Sequence, residues 1–244
     1  MSLLTAAAAM VQIAGLRKRF GRLTVLDHVD AVVPRGQVTA VVGPNAAGKS
    51  TLIKCLLGLV RPDAGEVRIE GEPVGEDATY RRAIGYMPQG APFPENLRGR
   101  ELLGLLCALR REEKPDLDLI QRFALERELD KPIRALSGGT RQKLNAVIAF
   151  LFRPSLAILD EPTAGLDPIA SGILKETIAE RSAAGVTFIL TSHILSELDE
   201  VAQEIIFLVE GRVRFQGAMD HLRRSTGEQR LERALARLLT ARVA

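Results

Sequence analysis

Apolar residues fall along this chain in two rhythms. Short aliphatic runs closed by polar residues alternate with stretches whose apolar positions recur every three or four residues. The runs are Val38-Thr-Ala-Val-Val42, Ala83-Ile-Gly-Tyr-Met-Pro88 before Gln89, Leu156-Ala-Ile-Leu159 before Asp160-Glu161, and Val186-Thr-Phe-Ile-Leu190 before Thr191-Ser192-His193. Between them, Leu52-Ile-Lys-Cys-Leu-Leu57 has helical spacing, and Leu144, Val147, Ile148 and Leu151 follow the i, i+3, i+4, i+7 pattern of an amphipathic helix. Nearer the N-terminus, Val11, Ile13 and Leu16 alternate like a strand, and toward the C-terminus Leu231, Leu235 and Leu238 recur at helical spacing. Strand runs alternating with helical ones predict an α/β fold with a largely parallel sheet. In such sheets ligands sit beyond the carboxyl ends of the strands, which is where the polar residues closing each run would converge.

The first run opens directly onto Gly43-Pro-Asn-Ala-Ala-Gly48-Lys49-Ser50-Thr51 and a helix. A strand, a glycine loop and a helix N-terminus together present converging N–H donors and the positive end of the helix dipole to an anionic phosphate chain. Lys49 adds a point charge for the β- and γ-phosphates, and the Ser50 hydroxyl is a ligand for Mg²⁺. At the other strand ends, Asp160 suits the metal and Glu161 the polarisation of an attacking water. Gln89 offers a neutral carbonyl for the metal or that water, and His193 a hydrogen bond to the γ-phosphate. A second glycine cluster, Leu136-Ser137-Gly138-Gly139-Thr140, precedes the helix of Leu144 to Leu151, with Ser137 as its N-cap. It reads either as a plain capped helix or as a second anion-binding nest. Two nests with one Lys49-type loop predict a nucleotide sandwiched between two copies of the chain, with twofold symmetry giving two such sites.

Composition narrows the field without choosing within it. The 244 residues are 46% hydrophobic and 26% charged, which excludes disordered, collagen-like and disulfide-scaffold classes. Thirty-three basic against 30 acidic residues leave +3, too balanced to imply nucleic-acid binding. The longest stretch without Asp, Glu, Lys or Arg, Met1 to Leu16, is shorter than a spanning helix. It lacks the basic start of a signal peptide, so residues 1–10 are read as a loose leader. Cys55 and Cys107 stand apart, with no Cys or His at metal-ligand spacing.

In combination these motifs resemble the ATP-binding subunits of ABC transporters. The resemblance spans Val11 to Gly217 and rests on the Walker A loop Gly43 to Thr51, Gln89, the signature Leu136 to Thr140, Walker B Leu156 to Asp160 with Glu161, the D-loop Ala164-Gly-Leu-Asp167 and the switch His193. It implies a P-loop NTPase with a RecA-like core, a β-rich N-terminal part and an inserted helical subdomain over residues 92–145, within an ATP-binding domain of residues 11–217. A helical extension follows over residues 218–244. It further implies nucleotide contacts from Gly43, Pro44, Asn45, Ala46, Ala47, Gly48, Lys49, Ser50, Thr51 and Gln89, with adenine stacked on Phe20; a plain core role is the alternative for Phe20. Catalysis falls to Glu161, His193 and Lys49, and Mg²⁺ to Ser50, Gln89 and Asp160. Ser137, Gly138, Gly139, Thr140 and Asp167 would act on ATP held by a partner copy.

The implied function is ATP hydrolysis by a homodimer that drives a separate membrane permease from the cytoplasmic face; a non-transport ABC ATPase is the alternative. The Tyr86 to Gln89 loop, Phe93 to Glu101 and Ser137 to Asn145 look most like the ATPase subunits of copper-type ABC systems serving nitrous oxide reductase maturation. Two positions depart from the family pattern. Ala46 stands where glycine is usual, and the phosphate cradle survives there if its backbone dihedrals are negative; Thr140 stands where glutamine is usual and keeps a hydrogen-bonding side chain.

Overall fold

The computed structural model describes residues 9–75, 77–90, 92–111 and 114–240. In chain order the elements are β1 (Ala9–Phe20), β2 (Leu23–Pro34), β3 (Val38–Val42), α1 (Lys49–Leu56), β4 (Ala64–Ile69), β5 (Glu72–Pro73), β6 (Ile84–Met87), α2 (Gly99–Arg110), α3 (Asp118–Arg122), α4 (Gly138–Phe150), β7 (Leu156–Asp160), α5 (Pro168–Ala183), β8 (Thr187–Thr191), α6 (Leu195–Val201), β9 (Glu204–Val209), β10 (Arg212–Ala218), α7 (Met219–Thr226) and α8 (Leu231–Thr240).

The central sheet runs β10-β9-β3-β8-β7-β6, with parallel pairing from β9 through β6 and β10 antiparallel at one edge. Strands with both faces covered read as largely apolar runs rather than alternating ones, which is why β3, β7 and β8 were legible as short aliphatic-rich segments. Their alternate residues feed two separate cores. Val38, Ala40, Leu159 and Leu190 pack with the helices of one side, while Val41, Leu156, Ile158 and Ile189 pack with α1 and a second, antiparallel sheet ordered β2-β1-β4-β5. The four runs expected from the sequence are β3, β6, β7 and β8, adjacent in space. The expected β-rich N-terminal part is the second sheet.

Residues 92–145 are largely helical, and α4 continues beyond them to Phe150 on the core. Of the expected leader, residues 1–8 lie outside the described residues. Ala9 and Met10 are already the buried start of β1, so strand pairing to Pro34 begins inside the span read as loose. The extension begins one residue after its expected boundary, since Ala218 is the last residue of β10. Met219, Leu222, Leu231, Ala234 and Leu235 of α7 and α8 are buried in the same apolar cluster as the sheet. Among the described residues no helix is long and apolar enough to cross a membrane.

Candidate functional site

The loop between β3 and α1 is built around two glycines that no side chain could replace. A Cβ on Gly43 would lie 2.0 Å from the Leu208 carbonyl oxygen. Gly48, the N-cap of α1, sits at φ +104°, where a Cβ would meet the Val25 carbonyl oxygen at 2.8 Å. The loop is therefore pressed against β9 and β2, and the first N–H groups of α1 are uncapped by any side chain. The Lys49 ammonium donates to the carbonyls of Gly43 and Pro44 at 2.7 and 3.1 Å, tying the helix start to the loop's origin. Burial lowers its pKa, against the charges of Glu161 and Asp160, which raise it.

Asn45, Ala46, Ala47, Gly48, Lys49, Ser50 and Thr51 line a cleft of about 360 Å³ together with Gln89, Asp160, Glu161 and His193. Four strand ends thus converge there. Asp160, the last residue of β7, accepts a hydrogen bond from the Thr191 hydroxyl across its register partner. Glu161, immediately outside the strand, is 8% exposed and holds a left-handed backbone at φ +54°. Its N–H donates to the Thr191 carbonyl at 3.1 Å. Its carboxylate meets His193 twice: Oε2 accepts the His193 backbone N–H at 3.2 Å, and Oε1 lies 3.2 Å from the imidazole Nε2. A carboxylate and an imidazole are thereby fixed in one geometry at the cleft wall.

One expectation needs correction, and three expected site residues stand off the cleft lining. Ala46 adopts φ +61°, not a negative value, so the loop imposes on alanine a conformation that glycine holds without cost. Phe20 is half-exposed at the end of β1 with the Lys18 ammonium 5.4 Å from its ring centre, and it is not part of the cleft wall; Leu23 and Val25 of β2 are. Gly43 and Pro44 accept hydrogen bonds from Lys49 and are not among the residues that line the cleft.

The signature segment is elsewhere on the chain. Ser137 caps α4 as expected, its Oγ accepting the Thr140 N–H at 3.1 Å and lying 2.8 Å from the Thr140 hydroxyl. Gly138 lines a second cleft of about 430 Å³, with Gln89, Gly90, Arg141, Gln142, Glu161, Ala164 and Gly165. Asp167 caps α5 through the Ala170 N–H at 2.8 Å and pairs with Lys143 of α4 at 2.9 Å; those two contacts hold its carboxyl below the usual range. None of residues 137–140 lines the cleft of Lys49.

Sequence reasoning passed over Thr191, Gln142 and Asn145. Thr191 closes a strand run. The two amides, 9% and 1% exposed, lie among the apolar residues of α4, and a polar side chain inside an apolar helix stripe signals a buried partner.

The family described as ABC transporter matches residues 26–164. The chain is 37% identical over 229 residues to a daunorubicin resistance ATP-binding protein of Streptomyces coeruleorubidus, covering 91% of this chain and 72% of that one. It is 37% identical over 217 residues to a Nod factor export ATP-binding protein I of Ralstonia nicotianae, covering 85% and 67%. A solved structure of an ATP binding subunit of an ABC transporter superposes with a TM-score of 0.86 at 34% identity, over 94% of this chain and 99% of that one.

Proposed function

The chain belongs to the ABC transporter family as an ATP-hydrolysing ATP-binding cassette, and from that premise we propose that it dimerises around two Mg-ATP to drive export through a separate membrane permease. The observation that carries the proposal is the pairing of Glu161 with His193 across the cleft from Lys49. Residues 11–217 form the working cassette, residues 92–145 its helical subdomain and residues 218–244 the extension. Asn45 to Thr51 bind the phosphates, with Lys49 neutralising charge on the β- and γ-oxygens. Gly43 and Pro44 shape the loop, and Phe20, at the tip of the hairpin whose Leu23 and Val25 line the cleft, is within the region where the base would lie.

The donor set suits Mg²⁺, since Ser50, Asp160 and Gln89 bring a hydroxyl, a carboxylate and an amide oxygen to one cleft, and this ion takes few protein ligands beside phosphate and water. Bound there, it supplies neutralising charge to the phosphate oxygens. Glu161 orients a water and takes its proton as the new P–O bond forms at the γ-phosphorus. The bond to the β,γ-bridging oxygen breaks, and ADP and inorganic phosphate leave. The His193 ring turns to donate to the γ-phosphate, while its backbone N–H keeps hold of the Glu161 carboxylate. Ser137, Gly138, Gly139 and Thr140, with Asp167, close over the nucleotide of a second copy.

Export is favoured because one relative carries it in its name and another is named for drug resistance. The narrower likeness to copper-type systems of nitrous oxide reductase maturation has no counterpart in those names, so a small-molecule cargo is the reading adopted. Replacing Glu161 by Gln removes the proton acceptor and keeps the shape. Phosphate release should fall by about 10²–10⁴ with ATP still bound; hydrolysis at the parent rate would remove Glu161 from this role.

A further inference from the structure

Glu161 holds a left-handed backbone conformation that is unfavourable for a residue with a Cβ, and such a conformation persists where its surroundings over-determine it. Its N–H is fixed by the Thr191 carbonyl of β8. The peptide on the other side is followed by Pro162, which has no N–H to tie that segment to a neighbour. Instead Nε2 of Gln142 donates to two successive carbonyls, Glu161 O and Pro162 O, each at 3.1 Å. An amide nitrogen carries two hydrogens, so both are used on the peptide units that set where the Glu161 side chain leaves the backbone.

One turn along the same helix, Asn145 Nδ2 donates at 2.9 Å to the carbonyl of Pro88, the group bonded to the nitrogen of Gln89. Leu144 and Val147, at 0% and 1% exposure, lock α4 into the core between these two arms. The helix that begins at the signature glycines therefore grips, within its own chain, both the strand end bearing the base and the strand end bearing Gln89.

We propose that Gln142 and Asn145 are positioning residues for the ATPase reaction, Gln142 for Glu161 and Asn145 for Gln89, so that the placement of α4 sets both at once. This rests on the reading of Glu161 as the proton acceptor. Neither side chain need touch nucleotide; each acts through a carbonyl it holds.

The test is a mutant cycle on the full chain. Gln142→Met keeps the length of the side chain and removes the donor; Gln142→Glu keeps its shape and sets an acceptor against two acceptors. Phosphate-release rate, the affinity for the fluorescent analogue TNP-ATP and the melting temperature are measured for each, in the parent and in a Glu161→Gln background. The expected result is a fall in kcat of about 10- to 100-fold, the scale of a small misplacement of a reacting group, with TNP-ATP affinity within about twofold of parent. In the Glu161→Gln background the same change should lower the rate no further, because the group being positioned is gone. Asn145→Asp should lower kcat in both backgrounds.

A rate at the parent level for Gln142→Met or Gln142→Glu, or an equal fall in both backgrounds, overturns the assignment and leaves Gln142 as core packing. Should Gln142→Met fail to fold, Gln142→Glu decides alone by the same comparison. If instead Glu161→Gln hydrolyses ATP at the parent rate, it is the reading of Glu161 that fails.

Discussion

Ala46 and Glu161 both hold left-handed backbone at the cleft, and their reasons differ. Glu161 is gripped by Thr191, Gln142 and His193, and its side chain is the proposed proton acceptor. Ala46 is exposed, and a methyl group at φ +61° gives nothing in return. Left-handed geometry costs an L-residue roughly 1–2 kcal/mol, while glycine's greater freedom in the unfolded chain takes back about 0.4–1 kcal/mol. Ala46→Gly is therefore expected to raise the unfolding free energy by up to about 1.6 kcal/mol, read as a higher urea midpoint at unchanged slope. Ala46→Val, with a branched Cβ in the same conformation, should lower it. That Lys49, Ser50, Asp160, Glu161 and His193 line one cleft was legible because strand ends are marked in sequence by where apolar runs stop and the start of α1 by its glycine loop. The sign of φ at Ala46 was not, because it is dictated by a loop held against residues far along the chain, Val25 and Leu208.

At the scale of elements, α6 follows His193 directly and is only seven residues long, with no side-chain cap at its start. It is steadied from outside: Thr163 donates to Glu197, Lys175 pairs with Glu200 at 2.7 Å, and Arg223 of α7 pairs with Asp199 at 2.6 Å. Such partly exposed pairs contribute little individually. The larger share comes from the apolar seam of α8, where Leu231, Ala234 and Leu235 are buried beside Leu198 of α6 in one cluster. Leu235→Ala should cost about 2–5 kcal/mol of unfolding free energy by denaturant titration, whereas Leu239→Ala, at a half-exposed position of the same helix, should stay within about 0.5 kcal/mol. The 231, 235, 238 spacing announced this helix. Its partner was hidden, since spacing shows that a face must be covered and says nothing about which distant element covers it. β9, which completes the parallel sheet beside β3, is an apolar run of the same kind, Ile205 to Val209, and was not singled out.

Across the whole molecule, the geometry separates the two glycine-flanked helix starts by sequence and by cleft. Lys49 stands in one, and Gly138 lines the other, so within a single chain the α4 start does not reach the phosphates that Lys49 would hold. A Cβ at Gly138 would meet nothing within 4 Å, so the chain itself has room for a side chain there. An aspartate at the first position of α4 is favourable to the isolated helix, by about 0.3–1 kcal/mol through the dipole. In the proposed dimer the same carboxylate would face the phosphates of the partner's nucleotide, where like charges repel. The two effects have opposite signs, which separates folding from assembly. Gly138→Asp should leave the melting temperature unchanged or slightly raised and monomer binding of TNP-ATP intact. In a Glu161→Gln background, which retains ATP, the ATP-dependent dimer seen by sedimentation velocity should be lost. Dimers formed as well by Gly138→Asp as by its Gly138 parent would mean that the second nest does not close on nucleotide.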